Sequence, residues 1–315
     1  MATGPTVVAL GGGHGLAASL SALRHVADDL TAVVTIADNG GSSGRLREEF
    51  GALPPGDLRM ALAALCSDDE WGQTWARVLQ HRFDSSGDMH GHSVGNLLIV
   101  ALWELLGEHV SGLDWIARLL GAEGRVLPMA LTPLDIAAQV VGADPARPDA
   151  VSTVRGQVEV ATTSGTVVSV GLDPDSPKAC PEAVAAVRAA DWVVIGPGSW
   201  YSSVIPHLLV PELRTALQET SAQVLVNLNL INQPGETDGL TPADHLDALV
   251  RHAPGLRIDV VLGDPGRLVD EDRLTTVAAS YGGRLVLDDL ARDGHIGQHD
   301  PEKLSLAYAR IMLAT

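Results

Sequence analysis

Thr6-Val-Val-Ala-Leu-Gly-Gly-Gly-His-Gly15 carries the strongest structural signal in this 315-residue sequence. Its first five residues are almost wholly apolar, as in a strand buried on both faces of a parallel sheet, and a glycine turn follows at once. Apolar residues then recur at helical spacing from Leu16 to Val26, and a second apolar run follows, Ala32-Val-Val-Thr-Ile36. This order of strand, glycine turn, helix and strand predicts a βαβ unit.

Similar strand-and-turn patterns return in the second half of the chain, at Trp192-Val-Val-Ile195, Val224-Leu-Val-Asn227 and Ile258-Asp-Val-Val-Leu262. Between the two sets the pattern is mostly helical from Leu58 to Leu120 and β-like from Val126 to Leu172. We therefore expect an α/β fold with a Rossmann-like parallel sheet core. Residues 1–315 form a single domain in this interpretation, and residues 61–180 form an inserted helical and small β lobe.

Composition excludes several classes of function. The formal net charge of −18 repels polyanions, so we expect neither nucleic acid nor an anionic membrane surface as a partner. The longest apolar stretch, Leu97 to Trp103, is shorter than the roughly 20 residues that a membrane-spanning helix needs. The N-terminus lacks the pattern of a secretory signal, and the two cysteines, Cys66 and Cys180, lie far apart. These features predict a soluble, cytoplasmic protein.

Three glycine-rich loops follow predicted strands. Because neighbouring parallel strands end at the same edge of a sheet, these loops can converge on one crevice. Glycine lets backbone N–H groups approach a phosphate, and the next helix adds its positive N-terminal end. The loop residues that we expect to bind a nucleotide are Gly11, Gly12, Gly13, His14, Gly15, Asp38, Asn39, Gly40, Gly41, Ser42, Ser43, Gly196, Pro197, Gly198 and Ser199.

Each loop taken alone is also compatible with a simple tight turn. The first lacks Gly-x-Gly-x-x-Gly spacing, since Leu16 occupies the place of the last glycine, and the chain has no Gly-x-x-x-x-Gly-Lys-Ser/Thr phosphate loop. The prediction of phosphate binding therefore depends on the three loops meeting in one sheet.

Charged residues continue from the second loop. Arg45, Arg47 and Arg59 are candidates for phosphate contacts, and Asp38 and Asp57 could position a metal ion or a ribose hydroxyl. The alternative is a solvated charged loop in which Asp57 caps the next helix.

Gly91-His-Ser-Val-Gly95 fits the Gly-x-Ser-x-Gly motif of serine hydrolases, which requires a buried strand directly before it. The preceding residues are polar and turn-like, so Ser93 is expected to cap a helix that runs to Leu106, with a serine hydrolase as the alternative. On that helix His92 and Asn96 lie about one turn apart and could face the same ligand. The His90-x-His92 pair lacks a third ligand at a useful spacing, so no metal site is predicted.

Six segments together resemble the YvcK branch of the CofD-like family. They are Val8-Ala-Leu-Gly-Gly-Gly-His-Gly-Leu16, Ala37-Asp-Asn-Gly-Gly-Ser-Ser-Gly-Arg-Leu-Arg47, Pro54-Pro-Gly-Asp-Leu-Arg59, Gly91-His-Ser-Val-Gly-Asn96, Gly196-Pro-Gly-Ser-Trp-Tyr-Ser-Ser-Val-Ile-Pro206 and Gln233-Pro-Gly-Glu-Thr-Asp238. The resemblance implies a bacterial protein with a Rossmann-like core that binds UDP-sugars such as UDP-N-acetylglucosamine. Tyr201 and Ser203 join the expected binding residues through the fifth segment.

The same resemblance implies a regulatory role in growth on gluconeogenic carbon sources, cell shape and peptidoglycan synthesis. A homodimer and protein partners in peptidoglycan synthesis or signalling stay open, as does NAD as the ligand. The CofD relatives are magnesium-dependent transferases that use a nucleotide diphosphate donor, which is the alternative activity. Asn39 stands where the family pattern has a second aspartate, and the loss of this carboxylate weakens a metal-dependent transfer.

Overall fold

A computed structural model describes residues 4–144, 146–147, 149–233, 236–237 and 239–313. The strands are β1 (Thr6–Gly11), β2 (Asp29–Val34), β3 (Arg125–Pro128), β4 (Asp135–Val141), β5 (Val151–Arg155), β6 (Thr166–Asp173), β7 (Trp192–Ile195), β8 (Gln223–Asn227), β9 (Val260–Gly263) and β10 (Arg284–Leu287). Seven of them form a parallel sheet in the order β10-β9-β8-β7-β1-β2-β3. The other three form an antiparallel sheet in the order β5-β4-β6.

Helices connect and cover these strands. They are α1 (Gly13–Leu23), α2 (Gly41–Phe50), α3 (Gly56–Ala64), α4 (Glu70–Gln80), α5 (Val94–Leu106), α6 (His109–Leu120), α7 (Gln157–Ala161), α8 (Pro181–Ala189), α9 (Ile205–Leu209), α10 (Pro211–Glu219), α11 (Pro242–His252), α12 (Glu271–Ser280) and α13 (Pro301–Met312). A π-helical turn, Trp200–Val204, leads into α9, and a 3-10 turn covers Pro265–Arg267. Within the described ranges, every helix is too short or too polar to cross a bilayer.

The strand order reverses between β1 and β7. From β1 the chain builds outward through β2 and β3, then returns to the other side of β1 and builds outward from β7 to β10. Loops that follow β1 and β7 therefore leave the sheet in opposite directions and open a crevice at its carboxyl edge. The predicted α/β fold with a parallel sheet core is confirmed.

The central strands are buried on both faces, as their apolar runs predict. Val7 and Ala9 are fully buried, and β7 and β8 are covered almost as completely. The second strand begins three residues earlier than its apolar run, at Asp29, because it pairs with β1 from Thr6 onward. Pairing with a buried neighbour thus extends the strand into polar sequence.

The long segment between β2 and β7 contributes to both sheets. Helices α2–α6 pack beside the core, and β4–β6 make the small antiparallel sheet. β3 lies within residues 61–180 and yet pairs in parallel with β2 in the main sheet. The lobe boundaries at 61 and 180 stay a prediction.

Candidate functional site

The loops after β1 and β7 contact each other across the point where the strand order reverses. A Cβ atom on Gly12 would lie 2.5 Å from Oδ2 of Asp57 and 3.3 Å from Oγ of Ser203, and one on Gly15 would lie 2.8 Å from Cα of Gly198. A side chain at either glycine would force these segments apart. The crevice wall here is therefore bare backbone at the N-terminal end of α1.

The loop after β2 brings two more helix N-termini to the same place. Oδ1 of Asp38 accepts a hydrogen bond from the backbone N–H of Gly40 at 2.8 Å, which fixes the start of α2. A Cβ on Gly56, the first residue of α3, would lie 2.8 Å from Oδ2 of Asp38. Helices α1, α2 and α3 thus begin around one carboxylate pair, Asp38 and Asp57. The N-terminal N–H groups and dipoles of these helices favour an anion in the crevice.

The carboxyl group of Asp57 lies where α1 and α3 begin. Asp57 is the second residue of α3, but its carboxyl group accepts a hydrogen bond from the backbone N–H of Gly13, the first residue of α1. Its desolvated position and the nearby charge of Asp38 raise the pKa of Asp57 to about 7, against the opposing effects of Gly13 and Arg59. Near neutral pH this carboxyl group therefore gains or loses its proton easily.

Ser42 gathers several predicted residues into one hydrogen-bond network. Its Oγ lies 3.1 Å from Nδ1 of His92 and accepts from Nδ2 of Asn96, also at 3.1 Å. The backbone N–H of Ser93 approaches the same oxygen at 3.4 Å, which leaves the hydroxyl proton of Ser42 for the ring nitrogen of His92. Burial and the charge of Arg45 lower the pKa of His92, so the imidazole is neutral at pH 7.

Ser93 lies at the N-cap position of α5, but its side chain does not cap the helix. The residue is fully buried, and its Oγ donates to the backbone carbonyl of Leu79 at 2.9 Å. The segment before it pairs through a single bridge between Arg82 and Ser93 and forms no strand of its own. The arrangement lacks the exposed serine of a nucleophile elbow, which argues against the hydrolase alternative.

The two histidines of the His-x-His pair contact different residues. Nδ1 of the exposed His90 accepts a hydrogen bond from the backbone N–H of Ser85 at 3.2 Å, whereas His92 contacts Ser42. Across the part of the chain that the structure describes, no group of three or more His, Cys, Asp or Glu side chains is placed to hold a metal ion.

Arg59 is buried among the helices and is only 4% exposed. Its Nε donates to Oδ1 of Asn96 at 2.9 Å, and a terminal nitrogen donates to the side chain of Gln80. Burial, together with the charge of Arg82, lowers the pKa of Arg59 to about 10. In this structure the guanidinium connects α3, α4 and α5, and its contact with a ligand stays a prediction.

The other two arginines also contact protein groups. Arg45 donates to the backbone carbonyls of Asp88 at 3.0 Å and His90 at 2.8 Å. Arg47 forms an ion pair with Asp135 at 2.7 Å. Phosphate binding at this site would therefore depend first on backbone N–H groups.

The loop after β7 is held by two side chains that sequence reasoning did not single out. Asn229 binds Gly198 twice: its Oδ1 accepts from the backbone N–H at 2.9 Å, and its Nδ2 donates to the carbonyl at 2.7 Å. The carboxyl group of Glu236, only 7% exposed, accepts from Oγ of Ser199 at 2.5 Å and from the N–H of Tyr201 at 3.2 Å. The only sequence signal for Glu236 was its place in the segment 233–238.

The structure describes only part of the segment 233–238. Pro234, Gly235 and Asp238 lie outside the described residues. Glu236 also accepts from Oγ of Ser202 at 2.8 Å, so it caps the π-helical turn that begins at Trp200.

A cavity of about 240 Å³ opens beside the start of α1, lined by His14, Gly15, Ala18, Arg292, Gly297, Gln298, His299 and Pro301. His14 is exposed at its rim. His299 is 7% exposed, and its Nε2 is buried without a hydrogen-bond partner among the described atoms. Burial lowers the pKa of His299 to about 4, so the ring is neutral near pH 7.

Asn39 turns toward the small antiparallel sheet. Its side chain contacts α7, and a Cβ on Gly40 would lie 3.1 Å from Cγ2 of Val158 in the same helix. The loop after β2 therefore contacts both the carboxylate pair and α7, the helix that connects β5 to β6 of the small sheet.

Comparisons with known proteins identify the family of this chain. A model of the family described as 2-phospho-L-lactate transferase CofD matches residues 7–295. The chain belongs to the CofD family. The predicted family resemblance is thereby confirmed.

Individual proteins are also similar to most of this chain. A protein of Mycobacterium tuberculosis named "Putative gluconeogenesis factor" is 50% identical over 302 residues, which are 95% of this chain and 88% of that one. The "Gluconeogenesis factor" of Bacillus subtilis is 36% identical over 267 residues, covering 85% and 81%. The crystal structure of a UPF0052 family member from Bacillus halodurans superposes with a TM-score of 0.86 at 32% identity, covering 98% of this chain and 99% of that one.

Proposed function

We propose that this CofD-family chain binds a nucleotide sugar and acts as a regulator that releases its ligand unchanged. The observation that carries the proposal is the meeting of three helix N-termini, α1, α2 and α3, at the carboxyl edge of the sheet where the strand order reverses. Backbone N–H groups in such a place bind a diphosphate even in a protein of net charge −18.

The cavity beside Gly15 supports a ligand longer than a diphosphate. Arg292, Gln298 and His299 supply donors and acceptors around a volume of about 240 Å³ that opens next to the α1 N-terminus. A diphosphate held at Gly12 and Gly13 would place one end of its nucleotide at this cavity. Polar groups of this kind fix the orientation of a ligand whose phosphates already supply affinity.

The regulatory part of the proposal rests on the family. The resemblance implies UDP-sugars such as UDP-N-acetylglucosamine as ligands, and a role in growth on gluconeogenic carbon sources, cell shape and peptidoglycan synthesis in the bacterial cytoplasm. The names of the relatives, gluconeogenesis factors of two bacteria, support the link to central carbon metabolism.

A second candidate is a magnesium-dependent transferase of the CofD type, and the carboxylate pair favours it. Magnesium binds proteins through one or two carboxylates together with substrate phosphates. Asp38 and Asp57 face each other closely enough for the charge of one to raise the pKa of the other. They would hold the cation, which would neutralise charge on the transferred group.

Calorimetric titration separates the two candidates. UDP-N-acetylglucosamine, UDP, UTP, GDP and NAD are titrated with and without magnesium, and each incubated mixture is then analysed by chromatography. If the protein is a regulator, it should bind the UDP-sugar, and the intact compound should be recovered in full. Consumption of the donor would establish the transferase instead, and the absence of binding by every nucleotide would refute both.

A further inference from the structure

A second cavity lies on the other side of the loop after β7. It has a volume of about 240 Å³ and is lined by Thr163, Ser164, Gly165, Thr166, Val167, Glu236 and Leu240. The first five residues belong to the turn between α7 and β6 and to the start of β6. The cavity is thus formed by the small antiparallel sheet on one side and by the segment around Glu236 on the other.

The lining has the composition of a site for a hydroxyl-rich ring. Three hydroxyl side chains, Thr163, Ser164 and Thr166, can donate and accept, and the carboxyl group of Glu236 accepts. Val167 and Leu240 add the apolar contact that suits the C–H face of a sugar. Pockets for drug-sized ligands have volumes of roughly 300–1,000 Å³, so this smaller cavity suits one part of a nucleotide sugar, such as a single ring.

Direct contacts tie this cavity to the phosphate crevice. Glu236 accepts a hydrogen bond from Oγ of Ser199 at 2.5 Å. The preceding residue, Gly198, lies beside the crevice, because a Cβ placed on it would lie 3.5 Å from the backbone oxygen of Gly12. On the opposite side, Asn39 in the loop after β2 bonds α7, the helix that leads into the same turn. Both walls of the cavity are therefore anchored to loops that surround the crevice.

We propose that this cavity, between residues 163–167 and Glu236, is the subsite for the sugar ring of the ligand. The inference rests on the proposed function, because the diphosphate must occupy the glycine crevice for its sugar to reach the hydroxyl groups. The nucleoside then extends toward His299 at the opposite end.

Paired titrations with UDP and UDP-N-acetylglucosamine test the subsite through the ratio of the two affinities. Thr163→Val and Glu236→Gln each remove hydrogen-bonding capacity from the cavity with little change in volume. In each variant the preference for the UDP-sugar over UDP should fall about three- to tenfold, as expected for one lost hydrogen bond. Thr153→Val makes the same exchange on β5 in the same small sheet, outside the cavity, and should keep the preference of the unaltered protein.

Methyl NMR gives a readout that does not depend on either variant folding well. In the unaltered protein, the methyl signals of Val167 and Leu240 should shift with UDP-N-acetylglucosamine and stay in place with UDP. If both ligands bind and these methyl signals do not distinguish them, or if the variants keep the full preference, the subsite is wrong while the proposed function stands. If neither ligand binds the unaltered protein, the proposed function fails and the subsite with it.

Discussion

Nδ2 of Asn39 donates a hydrogen bond to Oε2 of Glu159 at 2.8 Å, while Oδ1 of the same amide accepts from the backbone N–H of Val158 at 3.0 Å. An aspartate could accept from Val158 but could not donate to Glu159. The asparagine, which replaces the aspartate usual in the family pattern, therefore makes a hydrogen bond to Glu159 that an aspartate could not make. The pair joins the loop after β2 to α7.

Asn39→Asp should weaken this contact. The change removes one hydrogen bond and sets two carboxylates against each other, so we expect a loss of about 0.5–1.5 kcal/mol in the free energy of unfolding, measured by urea denaturation. Faster amide hydrogen exchange in α7 should accompany it. Adding Glu159→Gln supplies an amide partner and should restore most of the loss. Additive effects of the two changes would show that the residues do not interact.

Asp57 should make the ligand-free protein less stable as the pH rises. Its pKa is about 7 in the fold and 3.8 as its ordinary value, so the folded state binds the extra proton between these values. With respect to this group, stability is therefore greatest at and below about pH 4 and falls until the pH passes about 7. At about 1.36 kcal/mol per pKa unit, the total effect is roughly 4 kcal/mol.

Asp57→Asn supplies the test, because asparagine cannot titrate. Its unfolding free energy should decline less between pH 5 and pH 8 than that of the unaltered protein. Glu271→Gln, an exchange at an exposed residue in the first turn of α12, controls for the loss of one acidic group. Parallel pH profiles for all three proteins would rule out a raised pKa at Asp57.

Arg59→Ala should destabilise the fold even without ligand. Asn96 and Gln80 would lose their charged partner, and a hydrogen bond to a charged group contributes about 1.5–3 kcal/mol. Thermal and urea unfolding measure the loss. Arg188→Ala, which removes an exposed ion pair with Glu219 at 3.4 Å, should change stability far less. A normal melting temperature combined with weak nucleotide binding would assign Arg59 to the ligand instead.

Ser93→Ala should not change the reaction of the protein with serine-directed probes. The hydroxyl donates to Leu79 inside the core, so a fluorophosphonate probe should label neither form, and the orphaned carbonyl should cost about 1 kcal/mol. Ser280→Ala removes a similar hydrogen bond, to Val277 at 2.7 Å, from an exposed helix end where water replaces it. Labelling of the unaltered protein that disappears in Ser93→Ala would revive the hydrolase alternative.

The sequence predicted the centre of the sheet better than its edges. The runs at β1, β7 and β8 are apolar on both faces because those strands are covered on both sides, and this pattern is readable locally. The four-residue edge strands Arg125–Pro128 and Arg284–Leu287 were not identified as core strands, since their place depends on the neighbour they pair with. Short edge strands carry little periodicity of their own.

The candidate site shows the same division between local and distant information. Glycine loops after strands can be recognised from the local sequence, and the structure brings Gly12, Gly15 and Gly198 together. Asn229 and Glu236 lie 31 and 37 residues from their partners Gly198 and Ser199, and nothing in their local sequence marks such contacts. Asp57 was recognised as a candidate, but its bond to the start of α1 depends on how α3 packs.

Gly15→Ala should separate the two halves of the crevice. Alanine has a higher helix propensity than glycine. Its Cβ, however, would lie 2.8 Å from Cα of Gly198, a backbone atom that cannot move without the rest of its loop. We expect a loss of about 1–3 kcal/mol in unfolding free energy from this overpacking, together with weaker binding of UDP and UDP-N-acetylglucosamine alike. Calorimetry and urea denaturation measure the two effects separately.

Gly87→Ala provides the matched control for this substitution. A Cβ on Gly87 meets no atom within 4 Å, so the same added methyl group should change neither stability nor affinity appreciably. Because the clash at Gly15 acts on the loop after β7, Gly15→Ala should also weaken the contact of Ser199 with Glu236, visible as faster amide hydrogen exchange at Tyr201. Full nucleotide affinity in Gly15→Ala would mean that the ligand does not bind where the loops after β1 and β7 meet.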